Sequence, residues 1–272
     1  MTELITAASA GTVTIGDISV NRFGLGTNRI TDTENAAKLL RRAVELGIQF
    51  IDTADIYTQA ESEKMIAKTL APYPAGVLIA TKGGMSPIDH KATGHPDYLR
   101  GALDRSLQRL KLTRVDLYQL HRVDPNVPFA DTLGFLKEAQ AARKIRHVGL
   151  SDVTVEQIEF ARTILPIASV QNQYNLFDRK HDAIVDHCEA NNIVFIPWFP
   201  LGRGKIGGES AALEKLAAKY DATPFQIALK WLLLRSPIML PIPGTLSVEH
   251  LESNLAAANL PITLTDMNDL LT

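Results

Sequence analysis

The sequence predicts an α/β fold: a single (β/α)8 barrel of the TIM type spanning residues 1–272, with an N-terminal β-hairpin and extra helices near the C-terminus. Eight short apolar runs occur at 23–27, 50–56, 77–82, 115–121, 145–153, 168–176, 193–201 and 238–244. They are near-continuous rather than alternating, as strands buried on both faces of a parallel sheet require. Their starts recur roughly every 31 residues, the length of one βα unit, with helical patterns between them. No Ser/Gly linker or charge run divides the chain, and α/β barrels reach this length as one unit. A doubly wound open sheet is the alternative arrangement of the same elements.

Each element has a local reason. Residues 12–15 and 18–21 flank Gly16-Asp17, which suggests a small hairpin. Asp32 or Thr33 can cap a helix carrying Ala36, Leu39, Leu40, Ala43 and Val44 on one face, and Gly47 fits its stop. A shorter helix covers 61–70, and amphipathic stretches cover 98–110, 129–142, 155–165, 181–191 and 248–258. The widest gap between strands holds an extra helix-like segment, 211–220. After it, Thr223-Pro224 supplies a cap and a first-turn proline before Ile227, Ala228, Trp231 and Leu232.

Composition narrows the function. Apolar residues at 46% and charged residues at 21% exclude a disordered chain. Twenty-eight Lys and Arg against thirty Asp and Glu, a net charge of −2, argue against a non-specific nucleic-acid binder. The one cysteine, Cys188, excludes an intramolecular disulfide framework and a multi-thiolate metal site, and reads as a small buried residue on a helix. The histidines are scattered, so no metal is expected. The N-terminus lacks a secretory signal, and no run approaches 18 uncharged apolar residues. These features predict a cytoplasmic protein with no membrane partner.

Barrel catalytic groups sit at the C-terminal ends of strands. There the second run holds Asp52 and leads directly into Tyr57, the third ends in Lys82 and the fourth in His121. That set suits general acid catalysis on a carbonyl. A phenol with reference pKa near 10 is a poor proton donor at neutral pH, and a neighbouring ammonium lowers that value. A carboxylate holds the ammonium in place, and an imidazole can hydrogen-bond the substrate oxygen. Lys82 alone would also suit a Schiff-base barrel of the aldolase type.

In these residues the sequence resembles the aldo-keto reductases, (β/α)8 barrels that reduce carbonyls with a nicotinamide cofactor. The matching segments include Phe23-Gly24-Leu25-Gly26-Thr27, Asp52-Thr53-Ala54-Asp55-Ile56-Tyr57, Thr81-Lys82 and Asp116-Leu117-Tyr118-Gln119-Leu120-His121. Val148-Gly149-Leu150-Ser151, Gln171-Asn172-Gln173-Tyr174-Asn175, Pro200-Leu201-Gly202-Arg203-Gly204 and Ile242-Pro243-Gly244-Thr245 follow in family order. The resemblance implies that Tyr57 is the proton donor, Lys82 its pKa-lowering partner, Asp52 the ion-pair anchor and His121 the group orienting the carbonyl. A regulatory role like that of the cofactor-sensing β subunits of potassium channels is the family alternative. Family habit implies a monomer.

No strand-linked G-x-G-x-x-G is present, so a Rossmann-type cofactor site has no support. The resemblance implies instead a dinucleotide lying across the barrel mouth against Gly26, Thr27, Asn28 and Asp52. It places Ser151, Asp152 and Gln173 on the carboxamide, and Trp198 with Phe199 beside the nicotinamide, the indole standing where a stacking tyrosine is usual. Leu201, Gly202 and Arg203 match the loop crossing the pyrophosphate. Gly244, Thr245 and Leu246, with His250 and Asn254, match the adenosine end, where a helix beginning near Ser247 can offer free N–H groups to phosphate. Asp152 replaces a common asparagine, and Gly244 and His250 replace the Lys and Arg that often clamp the 2′-phosphate. The expected cofactor is therefore NADP(H), with NAD(H) use possible.

The final helix-like region, 264–271, replaces the long closing loop of many relatives, so an open pocket is expected. The loop 83–95, with Met85, Pro87, Ile88 and His90, could cover substrate. The substrate class is a small aldehyde or ketone: aromatic aldehydes, dicarbonyls and pyridoxal all fit.

Overall fold

The computed structural model describes residues 5–204, 206, 210–267 and 270. The expected hairpin is present: β1 (Thr12–Ile15) pairs antiparallel with β2 (Ile18–Asn21) across Gly16-Asp17. Seven parallel strands then pair in sequence order. They are β3 (Gly24–Gly26), β4 (Phe50–Asp52), β5 (Leu78–Gly83), β6 (Val115–Leu120), β7 (Ile145–Ser151), β8 (Ser169–Gln171) and β9 (Val194–Phe195).

The eighth apolar run, 238–244, closes the ring without a regular ladder. Phe195 N donates to Ile238 O at 3.0 Å and Leu240 N to Phe195 O at 2.9 Å, joining the run to β9. On the other side Gly24 N donates to Pro241 O at 2.9 Å, and a parallel bridge pairs Gly26 with Gly244. Pro241 and Pro243 carry no N–H, so the segment cannot reciprocate along its length.

Alternation along each strand sorts the side chains. In register, Phe50 faces Leu78 and Asp52 faces Ala80, while Lys82 pairs with Gln119. Phe50, Leu78, Ala80, Leu117, Val194, Ile196, Leu240 and Ile242 form one buried apolar cluster, into which the hairpin sends Val13, Ile15 and Val20. Because Phe50, Leu78 and Val194 begin or nearly begin their strands, the hairpin plugs the N-terminal end of the barrel. The intervening residues, including Ile51, Ile79, Tyr118, Leu120, Val148, Leu150 and Val170, face outward into a second cluster shared with the helices. This double burial is why the strands read as continuous apolar runs.

Nine α-helices lie among the described residues. They are α1 (Glu34–Glu45), α2 (Glu61–Leu70), α3 (Pro96–Leu110), α4 (Phe129–Ala141), α5 (Val155–Arg162), α6 (Asp182–Ala190), α7 (Ala211–Lys219), α8 (Pro224–Arg235) and α9 (Val248–Ala256). Thr33, rather than Asp32, caps α1 through its side chain, and Thr223 caps α8 in a capping box with Gln226. Cys188 is buried on α6 as a free thiol. The expected helix at 264–271 is described only in part: Thr265–Met267 forms a single 3-10 turn, and 268, 269 and 271 lie outside the described residues. No described helix is long and apolar enough to cross a membrane.

The strands are shorter than the apolar runs. In the run 168–176 the regular strand covers only Ser169–Gln171, and in the run 193–201 only Val194–Phe195, with an isolated parallel bridge between Gln173 and Trp198 beyond them. Tyr174 and Leu176 are nevertheless buried, so their apolar character serves packing beyond the ladder.

Gly16 holds the hairpin turn at φ +62°, and a Cβ there would sit 2.1 Å from the His147 ring. That ring is itself bonded to Asp17 at 2.5 Å. Gly16→Ala should therefore lower the unfolding free energy by at least about 1 kcal/mol, measured by urea denaturation; an unchanged midpoint would contradict the account of the plug.

Candidate active site

The chain leaves β4 after Asp52 and turns sharply. Thr58, Gln59 and Ala60 take φ of 47°, 57° and 68°, three successive left-handed residues without a glycine. Such backbone is costly and persists where surrounding contacts hold it. Thr58 Oγ1 supplies them, donating to Ile30 O at 2.8 Å and accepting from Ser62 N, the second residue of α2, at 3.1 Å. The turn brings Tyr57 back over the end of β5.

There Lys82 Nζ donates to Asp52 Oδ2 at 2.6 Å, to Thr53 O at 3.0 Å and to the Tyr57 hydroxyl at 3.3 Å. Lys82 and Asp52 are 1% and 2% exposed. A buried ion pair is tolerable only when its remaining polar valences are met. Asp52 Oδ1 meets them by accepting from Gln171 Nε2 at 2.9 Å and Gln119 Nε2 at 3.2 Å. Burial alone would depress the ammonium, but the charge of Asp52, then Tyr57 and the hydrogen bonds, carry its pKa above the usual lysine value. A Schiff-base lysine must be neutral and open to substrate. Lys82 is neither, which removes the aldolase-type alternative.

For Tyr57 the balance differs from the sequence expectation. Burial raises the phenol pKa above 10 and outweighs the pull of the Lys82 charge, with Asp52 adding to the rise. The His121 ring stands edge-on to Tyr57, with centroids 5.9 Å apart and an 84° interplanar angle. Burial, then the charges of Lys82 and Arg122, hold its pKa well below 6.5, so the imidazole is neutral. Its Nδ1 is buried without a hydrogen-bond partner among the described residues.

Above this cluster opens a cavity of about 990 Å³, at the upper end of the range for small-molecule sites. Tyr57, His121, Ser151, Trp198 and Phe199 line it together with Gly26, Thr27, Asn28, Asp52 and Gln171, and so do Leu201, Gly244, Thr245, His250 and Asn254. One cavity thus reaches from the acid–base cluster to the start of α9, and at Gly26 and Gly244 there is no room for side chains. A Cβ on Gly26 would lie 2.8 Å from Ile242 O, and one on Gly244 3.1 Å from Gly26 O.

The Aldo/keto reductase family model matches residues 21–271. The chain belongs to the aldo/keto reductase family. It is 43% identical over 270 residues to an uncharacterized oxidoreductase of Schizosaccharomyces pombe, covering 95% of this chain and 88% of that protein. It is 37% identical to the pyridoxine 4-dehydrogenase of Escherichia coli, covering 93% and 94%. Its fold matches the thermostable aldo-keto reductase Tm1743, solved with the inhibitor epalrestat, at a TM-score of 0.85 and 27% identity, over 96% and 98% of the two chains. The expected (β/α)8 class and family are thereby borne out, and the chain is an oxidoreductase of the carbonyl-reducing aldo/keto type.

Not every residue expected at this aldo/keto reductase mouth reaches the cavity. Asp152 does not line it: its Oδ1 accepts from Trp198 Nε1 at 2.8 Å and its Oδ2 pairs with Arg122 at 2.8 Å. Gln173 is engaged in a backbone bridge to Trp198. Gly202 lies beyond the lining, and Leu246 is half exposed outside it. The Arg203 side chain lies outside the described residues. At α9 one expected phosphate donor is already committed, since His250 N donates to Ser247 Oγ at 3.2 Å.

The loop 83–95 contributes nothing to the lining. Met85 bridges Ala92, Tyr98 donates to Met85 O at 2.7 Å and Gly94 N donates to Asp124 Oδ2 at 2.9 Å, which pin the loop to its neighbours and leave Ile88 in solvent. Residues unforeseen in the sequence do line the cavity, among them Arg29, Arg122, Thr223, Phe225 and Ser253. Arg122 had a readable signal, a charge directly after His121 at a strand end. Arg29 had none beyond its nearness to Thr27.

Asp55 sits in the same turn, its amide donating to Lys82 O at 3.0 Å and its Oδ1 buried without a partner among the described residues. Burial, helped by the Glu63 charge and opposed by Arg109 and Arg105, pushes its pKa from 3.8 up to about 7. Folding thus favours the protonated acid, and this contribution to stability is lost as pH rises through the window between those values. Between pH 5 and 8 the loss should be on the order of 2 kcal/mol in urea unfolding free energy. Asp55→Asn should flatten the profile relative to the parent; equal slopes would show that Asp55 is ionised in the fold.

Proposed function

We propose that the protein reduces small aldehydes or ketones to alcohols with a nicotinamide cofactor, Tyr57 supplying the proton. The observation that carries this reading is the single ammonium of Lys82 bonded at once to Asp52 and to the Tyr57 hydroxyl below the cavity. When bound, the reduced cofactor supplies hydride to the carbonyl carbon. The residues that would hold it are Gly26, Thr27, Asn28, Ser151, Trp198, Phe199, Leu201, Gly244, Thr245, His250 and Asn254, all lining one continuous cavity.

The chain's own part is the proton. A carbonyl oxygen gaining negative charge approaches the basicity of an alkoxide, close to that of hydroxide and far above that of a phenolate. Against such a base even a phenol raised above 10 is an adequate acid. The desolvation that raises Tyr57 also keeps it protonated until charge develops. Lys82, held charged by Asp52, then stabilises the phenolate left behind. Neutral His121 can donate one ring N–H to the same oxygen without carrying a competing charge.

NADP(H) is the cofactor the family resemblance favours, and NAD(H) use is possible because Gly244 and His250 stand where the usual phosphate clamp has lysine and arginine. The pocket end formed by Trp198 and Phe199, whose rings meet edge-on at 4.7 Å, suits planar aromatic aldehydes. The identity to a pyridoxine 4-dehydrogenase makes pyridoxal the first substrate to assay.

Tyr57→Phe and Lys82→Met should each slow aldehyde-dependent oxidation of the reduced cofactor by about 10²–10⁴-fold while leaving cofactor binding, followed by fluorescence, largely intact. Retained turnover in both variants would refute the assignment. Cofactor binding without turnover on any of a panel of aldehydes would favour a sensing role. The rate of reduction should show no limb between pH 6 and 8 from His121 and should decline only as Tyr57 ionises, above pH 10. A limb near neutrality abolished by His121→Gln would show a charged imidazole instead.

A further inference from the structure

Three chain segments that take no part in the proton chemistry meet at one carboxylate. Asp152 directly follows β7, Arg122 lies two residues beyond β6 and Trp198 three residues beyond β9. Asp152 Oδ1 accepts from the Trp198 indole N–H at 2.8 Å, and its Oδ2 pairs with Arg122 Nη2 at 2.8 Å. The guanidinium stands 5.8 Å from the indole centroid, which closes the three groups into a ring. Its Nη1 donates to His121 O at 2.6 Å and to Ser151 Oγ at 3.2 Å. The backbone is held to this arrangement: Asp152 takes φ of 52° and Phe199, next to Trp198, φ of 51°, left-handed conformations that a side-chain-bearing residue seldom adopts.

Arg122, Trp198 and Phe199 line the cavity, whereas Asp152 does not. A guanidinium beside an acid–base cluster would ordinarily draw in carboxylates, which match its planar fork. Here Asp152 already fills that part, and the pair carries no net charge. A carboxylate on the substrate would have to displace it and would meet it as a like charge. The second guanidinium among the described lining residues, Arg29, is engaged with backbone: its Nη2 donates to Gly244 O at 3.0 Å, across the seam where β3 bridges the closing segment 238–244. His121 and His181, the latter near enough to feel the Asp152 charge, add no cation at neutral pH, because burial holds both below the usual histidine range.

We infer that Asp152 determines substrate specificity: by neutralising Arg122 it restricts the cavity to uncharged carbonyls and turns away those that carry a carboxylate. The inference rests on the proposed reductase reading and deepens it, from small aldehydes and ketones to uncharged ones. The same carboxylate fixes the indole through its N–H, so the aromatic wall and its lack of net charge come from one residue. Asparagine at this position keeps an acceptor for the indole, tolerates the left-handed backbone and loses the charge, which leaves Arg122 to hold an anion.

Two aldehydes of the same shape test it, para-carboxybenzaldehyde and the uncharged para-nitrobenzaldehyde. The parent should reduce the uncharged one with the higher kcat/KM, and Asp152→Asn should shift that ratio toward the carboxylate by roughly tenfold or more, the scale of one charged contact. Titration calorimetry with benzoate and benzamide should show the same shift without turnover. Both readouts are ratios within one variant, so a general loss of fold or of cofactor binding cancels. Adding Arg122→Gln to Asp152→Asn should remove the gain. A ratio within twofold of the parent's in either measurement, or a gain that survives Arg122→Gln, overturns the inference and leaves Asp152 a tether for Trp198. If no variant reduces either aldehyde, the reductase reading fails and the specificity claim falls with it; reduction of the uncharged aldehyde with unshifted ratios refutes this inference alone.

Discussion

A buried ammonium and carboxylate, Lys82 and Asp52, organise everything around them. Two charges withdrawn from water are costly unless every remaining valence is met, and the barrel interior is arranged to meet them. Gln119 from β6 and Gln171 from β8 reach the second oxygen of Asp52, and Thr53 O accepts another hydrogen bond from Lys82. One donor remains, and it reaches the Tyr57 hydroxyl. Geometry at the phenol is therefore a by-product of electrostatic closure below it. Loss of either glutamine would be felt at Tyr57 although neither touches it.

The barrel makes this possible by layering. Alternation along the parallel strands puts Phe50, Leu78 and Leu117 beneath and Asp52, Lys82 and Gln119 above, on the same inward face. The hairpin seals the lower layer with Val13, Ile15 and Val20. Water is excluded from one end so that polarity can be concentrated at the other. The left-handed turn at Thr58–Ala60 completes the arrangement, because Tyr57 lies beyond β4 and must be folded back to reach Lys82.

Much of this was legible in the sequence. Eight apolar runs located the staves, and polar residues ending three of them converge as expected. The boundaries were less legible, because buried residues continue past the regular ladder: Tyr174 and Leu176 lie beyond β8 yet are buried, Tyr174 against Phe195 and Trp231. The direction of the Tyr57 shift was hidden for a different reason. The ammonium's pull can be read from residue types, but the larger opposing effect, burial, exists only in the folded chain. Loop 83–95 looked like a lid because its length and composition permit one; its hydrogen bonds to α3 and to Asp124 decide otherwise. Arg29 and Gly244, far apart in the chain, offered no pattern joining them.

The closing segment is an imperfect stave. Pro241 and Pro243 interrupt its pairing, since neither has an amide to donate back. Gly244 lends its carbonyl oxygen to Arg29. The weakest-stitched joint of the cylinder thus doubles as a bracket, on which a charged side chain from the far end of the polypeptide is hung at a fixed height above the rim.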